Sequence, residues 1–235
     1  MNKSSKIIPK NYNSIPHLSI SKLTQQADKK ISMEQELLLT KKSRDYKDLI
    51  IVTEKIDGSN VGVCKKGNNI YAVTRSGYNA GESEAKHLQL FAEWVKKRND
   101  VFMGIPDGWR VVGEWCAQAH GTVYNITDES PFMVFDIFDE SNNPLAYIKM
   151  ICFCARFGFT TIPLLHIGQP ISIRNAVKLL GQGHYGNPDK PEGVVYRLER
   201  EGKFIFRAKW VRHDKEDGKY MKEEIMNVGY EKIYE

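Results

Sequence analysis

The pattern of hydrophobic and polar positions divides the chain near residue 49. Residues 1–48 are polar and basic and contain Pro9 and Pro16, which predicts an N-terminal arm with some local helix. Residues 49–54 are largely apolar over the length of one strand, a pattern typical of a buried strand. We therefore predict one domain over residues 49–235, with the arm packed against it.

The segments after residue 54 alternate between strand and helix patterns. Apolar runs at residues 61–64 and 70–73 flank a turn sequence at residues 66–69, which predicts a hairpin. Further strands are predicted at residues 109–115, 132–138, 194–198 and 203–209. Helices are predicted from an N-cap at Ser83 to about Lys97, at residues 145–157 before Gly158, and at residues 172–180. Strands in hairpins with helices between them indicate an α+β fold, with antiparallel sheets flanked by helices.

The composition narrows the classes of protein. Hydrophobic residues make up 41% and charged residues 27% of the 235 positions, which excludes wholesale disorder, collagen and small disulfide-stapled scaffolds. No apolar run approaches the ~18 residues of a membrane span, and the first residues lack the apolar stretch of a signal peptide. We therefore expect a cytoplasmic protein without membrane contact. The formal charge of +5 permits a polyanionic partner without requiring one.

The most informative stretch begins at Lys55. This lysine ends an apolar strand, and Asp57 and the turn residue Gly58 follow at once. With average residue usage, a Lys-x-Asp-Gly sequence is expected in about one chain in twenty of this length. Alone, the sequence is compatible with a surface lysine, so its interpretation depends on the rest of the chain.

Five further motifs follow in a fixed order. They are centred on Arg75, Glu114, Phe135 beside Asp136, Glu192, and the pair Arg207 and Lys209. This collinear series resembles the covalent nucleotidyltransferase superfamily, which comprises ATP-dependent RNA and DNA ligases and mRNA capping enzymes. The resemblance spans roughly residues 50–212. Six motifs in the family order are a strong signal, although each motif is weak alone.

Within that superfamily, the motifs are most similar to those of the nick-sealing RNA ligases of T-even phages. Asn60, five residues after Lys55, stands where DNA ligases and capping enzymes usually carry arginine. Arg75, twenty residues after the lysine, also matches these RNA ligases, and residues 15–18 are similar to their N-terminal approach. The resemblance therefore implies an RNA ligase with a function in RNA repair.

The resemblance also implies a reaction. Lys55 would attack the α-phosphate of ATP to form lysyl-AMP, and the AMP would pass to a 5′-phosphate that is then joined to a 3′-OH. A free lysine has a pKa of ~10.4, so only about one molecule in a thousand is neutral near pH 7.4. We expect burial and neighbouring cations, namely Arg207, Lys209 and bound magnesium, to lower the pKa of Lys55.

The family positions imply a role for each matched residue. The predicted catalytic residues are Lys55, Lys209, Arg207 and Glu192. The predicted nucleotide contacts, which include adenine stacking and ribose binding, are Glu54, Ile56, Asn60, Arg75, Glu114, Phe135, Val194 and Lys209. Glu192 and Glu114 are the predicted ligands of Mg²⁺ or Mn²⁺, because Mg²⁺ favours one or two carboxylates together with substrate phosphates. Arg207 replaces the usual lysine of the last motif but keeps its charge.

The expected fold is the nucleotidyltransferase domain, an ATP-grasp-like ligase domain without a C-terminal OB domain, since only 26 residues follow Lys209. Ligases and capping enzymes of this superfamily carry an OB or small helical domain after the last motif. We therefore expect self-adenylylation to be intact and the grip on nucleic acid to be weaker. The expected partners are RNA with 5′-phosphate and 3′-OH ends, RNA/DNA hybrids, and a partner protein that supplies grip on the substrate.

Two alternatives stay open. A DNA ligase or a capping enzyme shares the motif series, but Asn60 and the missing OB domain argue against both. A nucleotide- or RNA-binding module that kept the fold without catalysis is the alternative from another class, and the complete motif series argues against it. His120 is expected to be a surface or core histidine without a role in the site. The charge run at residues 215–219 is expected to be a solvated turn.

Overall fold

Eight strands form two sheets in the computed structural model, which describes residues 6–23, 28–186 and 189–231. The strands are β1 (Asp48–Lys55), β2 (Ser59–Lys66), β3 (Asn69–Thr74), β4 (Arg110–Trp115), β5 (Phe132–Phe138), β6 (Leu164–Gly168), β7 (Gly193–Arg200) and β8 (Lys203–Val211). The helices are α1 (Met33–Thr40), α2 (Lys86–Lys97), α3 (Asn99–Met103), α4 (Tyr147–Phe157) and α5 (Ile173–Leu180), with a 3-10 turn at Ala80–Glu82.

Both sheets are four-stranded and antiparallel. The first sheet has the strand order β6-β1-β7-β8, and the second has the order β3-β2-β4-β5. Helices α1 and α5 contact the first sheet, and α2, α3 and α4 contact the second. The predicted α+β fold with antiparallel sheets and flanking helices is confirmed.

The two faces of β1 determine where the chemistry lies. Ile50 and Val52 pack into one hydrophobic cluster with residues of α5 and β7, whereas Ile51 packs into another with residues of the second sheet. Successive side chains of a strand point to opposite faces. Thr53 and Lys55 therefore share the face of Ile51, which is the face directed at the second sheet.

Aromatic side chains dominate the core of the second sheet. Phe91 and Trp94 of α2 lie against Trp115 of β4 and Phe132 of β5, with ring centroids 5.3–5.7 Å apart. Full burial of one large apolar side chain contributes roughly 1.5–3 kcal/mol. This cluster therefore gives β4 and β5 a rigid support behind the residues they present to the first sheet.

Most predicted elements are present, and some of their bounds differ. Helix α4 ends at Gly158, which has a φ of 69°, as its C′ position requires. The predicted N-cap at Ser83 is wrong: α2 begins at Lys86 after Ala85, and the Ser83 hydroxyl accepts a hydrogen bond from the Ala85 amide. Strand β6 and helix α3 were not predicted.

Residues 6–18, the N-terminal strap, connect the two sheets. At one end the Asn11 amide donates to the carbonyl of Arg75, 3.1 Å away. At the other end, the Lys209 amide donates to Pro16 and the Leu18 amide donates to the Lys209 carbonyl, both at 2.9 Å. The strap therefore crosses one side of the space between the sheets.

The residues after β8 fold back onto the second sheet. The Tyr220 amide donates to the carbonyl of His120 at 2.7 Å, and the Asn227 amide donates to that of Ala117 at 3.0 Å. Residues 222–226, which the sequence allows as a short helix, form turns and an isolated bridge instead. Across the described part of the chain, every helix is too short or too polar to cross a membrane.

Candidate active site

A cavity of about 650 Å³ lies between the two sheets and against the strap. Both sheets contribute polar side chains to it, and the strap contributes Tyr12, Asn13 and Ile15. Ten of the predicted site residues line this one cavity: Glu54, Lys55, Ile56, Asn60, Arg75, Glu114, Phe135, Glu192, Arg207 and Lys209. Residues far apart in the sequence are thus brought together around one space.

Lys55 and Glu192 form a close ion pair at the centre of the cavity. Lys55 is opposite Gly193 in the β1–β7 register, so Glu192, one residue earlier, arrives beside the lysine. The Lys55 Nζ lies 2.5 Å from Glu192 Oε2, and the two side chains are 21% and 5% exposed. The lysine is therefore accessible from the cavity while its partner is buried.

The protonation of Lys55 differs from the prediction. Burial alone would lower the pKa of Lys55, but the carboxylates of Glu192, Glu114 and Asp57 outweigh it and raise that pKa above its ordinary value. The predicted lowering is found at Lys209 instead, whose pKa falls through burial and the neighbouring charge of Lys55. In the protein without nucleotide, Lys55 is therefore a charged ammonium.

The turn after Lys55 depends on glycine. The Asp57 amide donates to the hydroxyl of Tyr124 at 2.9 Å, and the Gly58 amide donates to Glu114 Oε1 at 3.1 Å. A Cβ at Gly58 would lie 2.5 Å from the carbonyl oxygen of Trp115. The backbone of this turn therefore approaches β4 more closely than a side chain would allow.

Asn60 and Glu114 face each other across β2 and β4. Burial raises the pKa of Glu114 to about 7, although the charge of Lys55 acts against this rise. The side-chain oxygen of Asn60 is buried without a hydrogen-bond partner among the described residues. Such an oxygen is an acceptor available to a ligand in the cavity.

Glu54 lines the cavity beside Lys55. It is fully buried, and its Oε2 accepts a hydrogen bond from the His184 amide at 3.0 Å. Its other oxygen has no hydrogen-bond partner in residues 6–23, 28–186 and 189–231. Burial raises the pKa of Glu54 to about 7, so this carboxyl group can either accept or donate a hydrogen bond near neutral pH.

Arg207 lines the cavity and is paired with a carboxylate of β5. The Arg207 guanidinium pairs with Asp136, which also accepts Arg197 at 3.1 Å. Burial raises the pKa of Asp136 to about 6, although the charge and hydrogen bond of Arg197 act against this rise. The charge of Arg207 is therefore largely compensated by Asp136.

The aromatic wall of the cavity combines Phe135 with the strap. The ring of Tyr12 meets Phe135 edge to face with centroids 4.9 Å apart, and the Arg207 guanidinium lies 4.9 Å from the centroid of the Tyr12 ring. Arg75, which is exposed, donates to the hydroxyl of Ser14 in the strap at 2.7 Å. The strap thus holds both Phe135 and Arg75 at the cavity.

Val194 is the one predicted contact that the structure places elsewhere. It is fully buried in the hydrophobic cluster on the opposite face of the first sheet, with Tyr196 and Ile50. Its neighbour Val195 lines the cavity, as the alternation of side chains along β7 requires. Strand β7 therefore contacts the cavity through Val195 and Arg197.

The sequence missed two residues of the site. The side chain of Lys215 is 1% exposed, with its Nζ 2.6 Å from Asp57 Oδ2 and 3.3 Å from Glu192 Oε1, so the solvated-turn interpretation is wrong for this lysine. His120 lines the cavity with its Nε2 3.2 Å from the Ser59 hydroxyl. The charge run around Lys215 gave no sign of burial.

The carboxylates suit a metal ion that is held partly by substrate. No group of three or more His, Cys, Asp or Glu side chains that could hold a metal occurs among the described residues. Glu192 and Glu114 both face the cavity. Because Mg²⁺ is bound by one or two carboxylates together with substrate phosphates, these two residues fit such a site once phosphate oxygens complete it.

Known proteins match this chain in family and in fold. A family model described as RNA ligase matches residues 48–211. No curated protein matches the chain significantly.

Solved structures show the same fold at low identity. An archaeal ATP-dependent RNA ligase is 17% identical, with a TM-score of 0.51 over 85% of this chain and 48% of its own. A Naegleria gruberi RNA ligase mutant with ATP and Mn is 18% identical, with a TM-score of 0.54 over 76% and 51%. A putative ATP-dependent DNA ligase from Aquifex aeolicus is 17% identical, with a TM-score of 0.56 over 85% and 49%. The chain thus spans about half the length of these structures.

Proposed function

The chain belongs to the RNA ligase family, and from this premise we propose that it is an ATP-dependent RNA ligase that adenylylates itself on Lys55. The observation that carries the proposal is the position of Lys55. It is accessible in a cavity between two sheets, beside Glu192 at 2.5 Å and with Lys209 lining the same cavity. The Naegleria gruberi relative with ATP and Mn supports a nucleotide and a divalent cation as the ligands.

In the proposed first step, Lys55 Nζ attacks the α-phosphorus of ATP. The Lys55 ammonium first gives one proton to solvent, and the neutral Nζ then forms the N–P bond. The bond from the α-phosphorus to the bridging oxygen breaks, pyrophosphate leaves with the bonding electrons, and Nζ gives its second proton to solvent. Lys209 would stabilise the charge that develops on the α-phosphate, because a fixed cation in a water-poor site is more effective than in water. Phe135 and Tyr12 would enclose the base, and the unpartnered oxygens of Asn60 and Glu54 would accept hydrogen bonds from the nucleotide.

Glu192 would have two functions in this step. Together with Glu114, it fits a divalent cation. When bound, that cation would neutralise the negative charge of the phosphates. A cation at Glu192 would repel the Lys55 ammonium from that carboxylate, and Lys55 would then lose a carboxylate that raises its pKa. The same movement thus prepares both the metal site and the nucleophile.

In the later steps the AMP would pass to a 5′-phosphate, and a 3′-OH would displace it to join the two ends. Arg75, exposed at the rim and held by Ser14, would contact the phosphate of the incoming end. RNA with these ends is the proposed substrate, with nicked RNA or an RNA/DNA hybrid as the form to be tested. A DNA substrate is the second candidate, because one matching structure is labelled a DNA ligase.

One experiment separates these proposals. The protein is incubated with labelled ATP, GTP or NAD, and the labelled peptide is identified by mass spectrometry. AMP on Lys55 from ATP is the expected result, label from GTP alone would indicate capping chemistry, and no label would indicate a binding module. A panel of 5′-phosphorylated nicks and single strands, with RNA or DNA on each side, then defines the substrate.

A further inference from the structure

Lys215 is a buried lysine in a segment whose sequence is typical of a solvated turn. It lies four residues after the end of β8 and outside residues 48–211, which the family model matches. Its side chain is 1% exposed, whereas the pairing carboxylate of Asp217 on the same turn is 51% exposed. Its position is therefore determined by what it contacts inside the cavity wall.

The surroundings of Lys215 are built around its side chain. A Cβ at Gly121 would lie 2.8 Å from Lys215 Cε and 3.0 Å from Asp57 Oδ2. The Gly121 amide donates to the same Asp57 oxygen at 2.8 Å, and the Lys22 ammonium donates to the backbone carbonyl of Lys215. Both the stem and the backbone of Lys215 are thus held, which directs the ammonium at two carboxylates.

The two oxygens of Glu192 face different lysines. Oε1 lies 3.3 Å from the Nζ of Lys215, and Oε2 lies 2.5 Å from the Nζ of Lys55. Lys215 also lies 2.6 Å from Asp57, which belongs to the turn after Lys55. Lys215 therefore connects the turn that presents Lys55 to the carboxylate that contacts it.

We propose that Lys215 is a positioning residue that holds Asp57 and Glu192 so that the second oxygen of Glu192 faces Lys55, and that its ammonium takes the place of a divalent cation between these two carboxylates. The first half rests on the proposed function, because it concerns adenylylation at Lys55. The second half is a property of the nucleotide-free protein and stands without it.

Electrostatics supports the exchange of ammonium for metal. Two neighbouring carboxylates repel each other, and a cation between them offsets that repulsion. In this chain the Lys215 Nζ occupies that place, 2.6 Å from Asp57 and 3.3 Å from Glu192. If the ammonium is removed, Asp57 and Glu192 become a pair of hard oxygen ligands, which is what Mg²⁺ or Mn²⁺ binds.

The test measures Mn²⁺ binding to the nucleotide-free protein by the loss of the free-ion signal in electron paramagnetic resonance. Lys215→Met keeps the length of the side chain and removes the charge, so it should bind Mn²⁺ at least about tenfold more tightly than the natural protein. Lys215→Arg keeps the charge and should not gain affinity. The double variant Asp57→Asn/Lys215→Met should lose the gain. Lys222→Met, in the same exposed C-terminal segment, is the matched control.

Self-adenylylation gives the second readout. Lys215→Met should lower kcat about tenfold with a smaller change in the KM for ATP, because the residue positions Glu192 without touching the nucleotide. Lys215→Arg should recover part of the rate. Unchanged Mn²⁺ affinity together with an unchanged rate in Lys215→Met would overturn the proposal.

Failure of Lys215→Met to fold and failure of the natural protein to react each have a separate interpretation. If Lys215→Met does not fold, as judged by circular dichroism, the natural protein is compared with Asp57→Asn: Mn²⁺ bound by the former and lost in the latter would show that the ammonium does not fill this place. If the natural protein forms no lysyl-AMP, the proposed function fails. The Mn²⁺ measurements still test whether the Lys215 ammonium occupies the position of a divalent cation.

Discussion

The Nζ of Lys55 lies 2.5 Å from Oε2 of Glu192 because two antiparallel strands place Lys55 opposite Gly193. A contact between residues 137 positions apart is thus fixed by the register of one strand pair. The pair keeps the lysine charged and the carboxylate in place before any ligand binds. In the proposed reaction, entry of ATP and a cation between them would separate the two side chains.

Lys55→Ala should abolish the covalent gain of AMP, because the nucleophile is removed while Glu192 keeps Lys215 as a partner. Intact mass spectrometry after incubation with ATP checks this. Lys203→Ala, at the exposed start of β8, should label like the natural protein. An alanine variant of Lys55 that still gains the mass of AMP would contradict the assignment.

Glu192→Ala should reduce labelling about 10–100-fold, and Glu192→Asp should reduce it less, because the shorter carboxylate can still hold a cation. The measurement is the initial rate of AMP transfer over a magnesium titration, with excess chelator expected to stop it. Glu201→Ala removes an exposed glutamate that also pairs with a lysine and should change little. Equal rates for the alanine and aspartate variants would indicate that Glu192 is only structural.

Gly58→Ala should destabilise the fold by about 1–3 kcal/mol and slow adenylylation, because its Cβ would lie 2.5 Å from the Trp115 carbonyl. Either the turn or β4 must then move, and Lys55 moves with the turn. Gly81→Ala is the control, since its Cβ would meet nothing nearer than 3.4 Å. Urea unfolding and the labelling rate give the two readouts, and equal behaviour of the variants would disprove the close approach.

The stability of the first sheet should depend on pH through Asp48. Arg44 and Arg200 hold the buried Asp48 carboxylate at 2.7 and 2.9 Å and keep its pKa well below the ordinary value. A lowered pKa in the folded state means that the stabilisation is complete above the unfolded pKa of ~3.9 and is lost as the pH falls below it.

Asp48→Asn should therefore lower the free energy of unfolding by roughly 1–3 kcal/mol at pH 7. The difference from the natural protein should shrink as the pH falls below about 4. Urea unfolding at a series of pH values measures it, with the exposed Asp100→Asn as control. A difference that stays constant from pH 7 to pH 3 would show that the ion pairs do not contribute.

Local sequence signals account for most of the strands and for several helix ends. The apolar run of β1, the hairpin turn at Gly67 and the C′ glycine Gly158 carry short-range information, and all three are found in the structure. Helix α1 had a signal that was not used: Ser32 and Gln35 form a capping box. Strand β6 had none, because this edge strand of five residues exposes Leu164 and Ile167.

The order of the motifs predicted which residues form the site. It did not predict the properties of those residues that depend on the tertiary structure. Ten predicted residues share the cavity, but the face of β7 was assigned one residue out of phase at Val194. The pKa of Lys55 depends on three carboxylates that only the fold assembles. The burial of Lys215 likewise depends on Asp57 and Gly121, which are distant in sequence.

The strap has a consequence for synthesis of the protein. Ser21, three residues past the strap, accepts a hydrogen bond from the Val211 amide through its hydroxyl, and this contact joins residues 190 positions apart. Although Asn11 can pair with Arg75 earlier, the end of the strap at Pro16 and Leu18 has its β8 partner only once Lys209 has left the ribosome, and contacts of such separation form slowly. A nascent chain that stops before β8 therefore cannot complete the strap across the space between the two sheets.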